Sequence, residues 1–529
     1  MTLSDFFEHW SIVEHPFRGE EARHDAVFAR MTTNPGDPSR GPVSRDAHDG
    51  AVVRQGRPPD SAHSDFEKIL GELHRPSTAI VFGEKGSGKT AIRLQIERRV
   101  REHNALHPSD KVLLVPYDDL SGIIERFHAR VGGKDPLASL EQIRLVDHID
   151  AMLGLIVPRL VDAVLGRTRD DTLDLGAEPG RIARRMDESS RRDLLLLQAI
   201  YDRPAEADLR TRSLRRLLRL PGPKDSLVWT SLAWGGVLLP GAVVALYIAQ
   251  KQNQITQTWV IALIAATAVW LTLLAKRYVW DPARWRRMGR RVRRQIRVSQ
   301  RPDVSYALSL RRLHVLLRDP ANLPLTESDE TRFLMLERLR RVAGEFGFAG
   351  MIVIVDRVDE PTLISGDPAR MKAVVWPMLN NKFLQQAGIG FKLLLPIELR
   401  HTLYKESSAF FQEARLDKQN LIDRLSWTGP MLYDLCNARL RACLAPGAKS
   451  IALLDLFAED VTRQDLVDAL DQMHQPRDAF KFLYHCFSEH CSNVSRDQEA
   501  WRIPRLLLDS VRKQESERVQ ALYRGIRPA

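Results

Sequence analysis

Cysteine is scarce. Four in 529 residues cannot build a disulfide framework, which fits a reducing compartment. Nor do they compose a metal centre. His485-Cys486 and His490-Cys491 lie five apart in a helical pattern that turns the pairs to different faces, and no second cluster completes a zinc set. Cys436 and Cys443, seven apart, fit one helix face as reduced core thiols. The opening MTLSDFFEHW lacks a basic segment followed by an apolar one, so no cleavable signal peptide is expected. No internal repeat recurs at a fixed period. Large apolar residues are nearly absent from 33–63, where Pro, Gly, Asp and Arg dominate, and this predicts a loosely held or disordered loop.

What is present is more specific. Hydrophobic residues make up 44% of the chain, enough for real cores in about two to four domains. A net charge of +11 allows an anionic partner: nucleotide, nucleic acid or lipid headgroup. Residues 4–31 read as an ordered arm with Phe6, Phe7, Trp10, Ile12, Val13, Phe17, Val27 and Phe28 as apolar contacts. Short apolar runs at 78–82, 112–115, 352–355 and 391–395 predict buried strands. Helical patterns fill 90–101, most of 119–220, 330–346 and the chain from about 416 onward.

Between the first strand and helix stands Gly83-Glu84-Lys85-Gly86-Ser87-Gly88-Lys89-Thr90, the G-x-x-x-x-G-K-[ST] pattern of a phosphate-binding loop, Walker A. Glycines let the backbone curl so that successive N–H groups face phosphate oxygens, and the helix start adds the positive end of its dipole. Lys89 supplies a charge for the outer phosphates, and the Thr90 hydroxyl is a magnesium ligand. Such a loop needs a carboxylate at the end of a neighbouring strand. The run Met351–Val355 ends in Asp356, followed by Arg357-Val358-Asp359-Glu360, which reads as Walker B. Asp356 is the second magnesium ligand. Glu360 is the first choice to polarise the attacking water, with Asp359 beside it. No N/T-K-x-D guanine signature is present, which favours ATP over GTP.

Two long apolar runs follow. Leu227–Ala249 holds 23 residues, about 34 Å as helix, and Trp259–Ala275 holds 17, about 26 Å. Pro240-Gly241 is the expected kink. Arginines crowd both outer flanks, from Arg210 to Lys224 and from Lys276 to Arg297, while the connecting stretch carries only Lys251. The positive-inside rule then keeps both ends cytoplasmic. The arginine-rich 284–301 reads as a juxtamembrane helix on anionic lipid. Nucleic-acid binding is disfavoured, since no base-reading module is recognisable.

These motifs and their order resemble additional-strand P-loop ATPases of the AAA+/STAND type, most of all the KAP family, whose members carry transmembrane helices between Walker A and Walker B. Asp356-Arg357-Val358-Asp359-Glu360 resembles the STAND pattern, with Arg357 where a small residue is usual. His9–Phe17 resembles the entry segment of secretion- and transposition-type ATPases. Gln475-Pro476-Arg477 and its helix resemble sensor 2, which implies that Arg477 reaches the outer phosphates. The strand 391–395 takes the sensor 1 place but ends in Pro396-Ile397-Glu398, where Asn, Ser or Thr is usual. Arg415 and Arg424 are arginine-finger candidates.

The resemblance implies a three-layer α/β P-loop NTPase domain with a parallel sheet, interrupted by a helical insertion with a two-helix transmembrane hairpin, plus a C-terminal helical lid. Expected segments are 1–63 arm and loop, 64–135 first nucleotide segment, 136–225 insertion, 226–280 hairpin, 281–328 basic segment, 329–430 second nucleotide segment and 431–529 lid. The implied function is a membrane-anchored, Mg-ATP-driven switch or assembly motor at the cytoplasmic membrane, as a homo-oligomer or with an effector partner, in bacterial signalling or anti-phage defence. A non-hydrolysing ATP-binding scaffold and a tethered DNA-handling ATPase are the alternatives.

Overall fold

A computed structural model describes residues 1–18, 21–33, 62–167, 173–222, 224–249, 257–495, 498 and 500–523. The expected disordered stretch therefore lies, over 34–61, outside the described residues, as does the connecting stretch with Lys251. The chain divides into two compact units. One holds Met1–His103, Ile352–Asp359 and Asn381–Ala529; the other holds Asn104–Met351 and Glu360–Asn380. The arm and the segment 431–529 thus share a unit with the loop Gly83–Thr90.

Five strands, β1 (Ala79–Gly83), β2 (Lys111–Tyr117), β3 (Phe348–Val355), β4 (Ile389–Pro396) and β5 (Asn420–Ile422), form one all-parallel sheet in the order β2-β3-β4-β1-β5. Both β1 and β4 are buried at every position. That is why they read as continuous apolar runs and not as alternation. Ala79 pairs with Lys392 and Gly83 with Pro396, so the two strands end level. The loop after β1 and the turn after β4 therefore open on the same edge. β4 separates β1 from β3, so the strand ending at Asp356 is the second neighbour of β1, not the first. β5 corrects the expectation of helix from 416. Its three residues are too few to show a period, and they are drawn into the sheet by pairing with Ala79–Val81.

Lys392 sits fully buried inside β4. Its ammonium donates to the carbonyls of Leu70 at 2.8 Å and Ser77 at 2.6 Å. Burial pushes its pKa down to about 7.

In the same unit, helices Gly429–Ala442, Arg463–Asp471 and Pro476–Asn493 build a core that takes in Phe6, Phe7, Ile12 and Phe17 of the arm. A buried ion pair, Arg439 to Asp25 at 2.6 Å, fastens the arm further. Cys486 and Cys491 are buried there, and the adjacent imidazoles are engaged: His485 with Glu515 at 2.7 Å, and His490 with the Ala500 carbonyl at 2.9 Å. Both thiols and His490 are buried in this core, whereas the His485 side chain is partly exposed.

The second unit is largely helical around the buried helix Leu145–Leu165. Its carboxylates each meet arginines: Asp147 with Arg297, Asp150 with Arg332, and Asp162 with Arg210. Two helices of this unit, Val228–Ala249 and Gln257–Gln295, are long and apolar enough to cross a membrane, and little of either is buried within the protein. Trp234, Leu238 and Ile248 are exposed and belong to no core of this unit. The first helix breaks at Gly236-Val237, four residues before the expected kink. Pro240 has no N–H, and its ring crowds the carbonyl four residues back, which is that of Gly236. Leu239 N–H takes that carbonyl instead, at 3.1 Å. The second helix does not stop at Ala275. It runs through a π-turn at Lys276–Trp280 into Asp281–Gln295, so the apolar run and the basic stretch are one helix.

Candidate functional site

Buried β1 ends at Gly83, the chain turns through Glu84–Gly88, and the helix Lys89–Leu106 begins. Gly86 and Gly88 have φ of +97° and +96°, a region that L side chains rarely adopt. A methyl on Gly86 would also come within 2.8 Å of Arg477 Cβ. The stem of Arg477 therefore lies against Gly86 of the loop. Ser87 Oγ donates to the Glu84 carbonyl at 2.8 Å and stabilises the turn. Lys85 is exposed.

Lys89 curls back, and its ammonium donates to the carbonyls of Gly83 at 2.7 Å and Glu84 at 2.9 Å. Burial lowers its pKa, opposed first by the charge of Asp359, then by Asp356, Glu398 and Glu84. Asp356 follows β3 directly and is 1% exposed. One of its oxygens accepts the Arg357 N–H at 2.9 Å, and the other lies 3.3 Å from the Thr90 hydroxyl. Burial raises its pKa against the charges of Arg93 and Lys89. Thus Lys89, Thr90, Asp356 and Asp359 converge, although the first pair is separated from the second by more than 260 residues of chain. The donor set, a hydroxyl and a buried carboxylate, is the hard-oxygen chemistry that suits magnesium. Glu360 begins the other unit and is exposed.

The remaining candidates fall as follows. Arg424 binds Glu84 of the same loop at 2.6 Å. Arg415 is exposed, with φ +47°, beside Asp417 at 3.6 Å. Arg357 has φ +60°, a left-handed conformation uncommon for a non-glycine residue, and its guanidinium lies 4.0 Å from Glu21.

Three residues carried no signal of their own in the sequence. The Trp427 indole N–H donates to the Ser87 carbonyl at 2.8 Å, and His63 packs edge-on against that ring while bonded to the Ser426 carbonyl. Arg93, one turn along the helix, places Nε 3.9 Å from Asp356. The charge of Glu398, in the first helical turn after β4, also bears on Lys89. A cavity of about 310 Å³ adjoins the loop, lined by Glu84, Ser87, Arg424, Ser426, Trp427 and His474. The larger one, about 1040 Å³, lies among arm and lid residues such as Phe7, His15 and Tyr484, and it mixes Glu8 and Glu14 with Arg18 and Lys481 without convergence on one charge. Comparison of the chain with protein-family models, with curated proteins and with solved structures found no match.

Proposed function

We propose that this chain is a membrane-anchored, KAP-like P-loop ATPase that binds Mg-ATP at Gly83–Thr90 and Asp356 and hydrolyses it slowly to drive a switch or an assembly step. The observation that carries the reading is the 3.3 Å approach of the Thr90 hydroxyl to the buried Asp356 carboxylate beside a loop with two left-handed glycines. The strand intervening between β1 and β3 supports it, because an additional strand at that place is what the resemblance implies. Thr90 and Asp356 would hold the magnesium ion, which when bound neutralises charge on the outer phosphates. Lys89 and the loop N–H groups orient the phosphates, Arg477 approaches from the lid, and Asp359 or Glu360 takes the proton of the attacking water. Two exposed apolar helices with arginine-rich outer flanks support anchoring in a cytoplasmic membrane with the nucleotide site inside. Assembly as a homo-oligomer or with an effector, and a role in bacterial signalling or defence, follow from the resemblance alone.

Mg-dependent ATP hydrolysis by detergent-purified protein tests the reading, with nucleotide binding measured in parallel. Lys89→Ala should abolish binding and lower turnover at least about a hundredfold. Asp359→Asn and Glu360→Gln should keep binding, and the one that loses turnover is the base. A wild type that binds no ATP would sink the proposal. ATP held but never hydrolysed would favour the scaffold reading, to which the strained Arg357 and the acidic Glu398 in the sensor 1 place already lend support.

A further inference from the structure

Five guanidinium groups converge in the helical unit. Arg130 lies in the last turn of the helix Ser121–Val131. Arg290, Arg293 and Arg294 come from the end of Gln257–Gln295, and Arg297 from just beyond it. With Asp303 they line a cavity of about 390 Å³, a size in the range of small-molecule sites.

Only two of the five are compensated. Arg290 Nε lies 3.5 Å from Asp303, and Arg297 Nε donates to Asp147 at 3.0 Å. Arg130 donates to the backbone carbonyl of Arg293 at 2.8 Å, which fixes its direction and neutralises nothing. Neither Arg293 nor Arg294 has a carboxylate partner among the described residues. Burial, and then the charge of Arg293, push the pKa of Arg130 below the ordinary arginine value, so the groups feel one another. The two arginines that face the carboxylates of the buried helix are closed pairs by contrast, Arg332 with Asp150 and Arg210 with Asp162 and Asp202. Three uncompensated planar forks around one space fit an anion with several oxygens, and phosphate oxygens match them two at a time.

Position separates a bilayer headgroup from a soluble ligand. Arg290 stands 15 residues past Ala275 on one continuous helix. At 1.5 Å per residue that is about 22 Å beyond the apolar run. The headgroup layer is only about 5–8 Å deep on each side, and a helix tilt of about 40° would still leave about 17 Å.

We propose that this cavity binds a soluble, multiply phosphorylated ligand of about nucleotide size, through residues distinct from those of the loop Gly83–Thr90. The preference for a soluble over a bilayer-borne phosphate rests on the membrane-spanning part of the function proposed above. The test is calorimetric titration of inorganic tripolyphosphate into the full chain carrying Lys89→Ala, held in phosphatidylcholine nanodiscs. Saturable binding is expected. Adding Arg293→Gln and Arg294→Gln should weaken it at least about tenfold, the factor carried by one charge-assisted hydrogen bond. Arg293→Lys with Arg294→Lys should retain part of it. Since neither side chain is buried, an unchanged melting temperature is expected for the Gln pair, and it ties the loss to the site. No saturable binding, or equal binding by the Gln pair, overturns the site. Loss of tripolyphosphate binding when the discs contain phosphatidylglycerol overturns the soluble ligand in favour of a lipid headgroup. Without Lys89→Ala, the wild type should show a second class of site if the loop binds phosphate; its absence would count against the loop and leave the cavity standing.

Discussion

Along the helix Leu145–Leu165 buried charge is matched group for group. Asp150 and Arg332 are both fully buried and meet at 3.2 Å, with the Tyr201 hydroxyl donating to the same carboxylate at 2.8 Å. Around Gly83–Thr90 the matching is loose. Asp356 shares Lys89, Arg93 and Thr90, while Lys89 feels four carboxylates and hydrogen-bonds only to backbone carbonyls. The arginine cavity is unmatched in the other direction, with guanidinium in excess. The difference has a physical reading. Closed pairs have no charge left to offer and serve architecture, whereas a cluster with charge left over has a field to present to a ligand.

The largest test of this contrast is Arg332→Leu, which would leave Asp150 buried without its cation. The expected cost is about 3–5 kcal/mol in thermal or denaturant unfolding. Burial already raises the Asp150 pKa to about 6, and without Arg332 it should rise further. If the pair is architecture alone, Asp150→Leu added to Arg332→Leu should restore much of the loss. A double variant no better than the single would break the contrast.

Lys392 sharpens it next, as a buried cation with only carbonyl partners. Its pKa falls from 10.5 to about 7 on folding, so between those values the unfolded chain binds more protons than the folded one. Stability should therefore rise as pH climbs from about 7 towards 10.5, by on the order of a few kcal/mol. Lys392→Met should flatten that rise. A melting profile of the variant that still climbs like the wild type would place its cause elsewhere.

The smallest effect concerns loop geometry. Gly86→Ala forces a methyl into a left-handed position and against Arg477. About 1–3 kcal/mol of strain is expected, read as a roughly tenfold to hundredfold loss of nucleotide affinity. Arg477→Ala in the same chain should relieve the contact but not the backbone term, so part of the affinity should return. Full affinity in Gly86→Ala alone would mean that the loop does not need this conformation.

Much of the site was legible because it is local. Gly83–Thr90 is a contiguous run whose residue types state their own backbone needs, and the apolar run ending at Asp356 declared a buried strand with a carboxylate at its edge. The two exposed apolar helices were likewise readable from length and composition. Trp427 and Arg93 were not, since a single tryptophan or arginine carries no period. Their meaning is a contact, with Ser87 across more than 300 residues and with Asp356 across the sheet.

By itself, then, the sequence determined the strands β1 to β4, the loop chemistry and two apolar helices, each specified by residues a few positions apart. Only the tertiary structure decided that β4 stands between β1 and β3, that 420–422 joins the sheet, that the first apolar helix breaks at Gly236 and that the second continues into the basic stretch. It also decided which arginines are paired and which are left over. Strand order and charge pairing depend on distances between residues far apart in the chain, and those distances exist only once hydrophobic burial has closed the intervening loops.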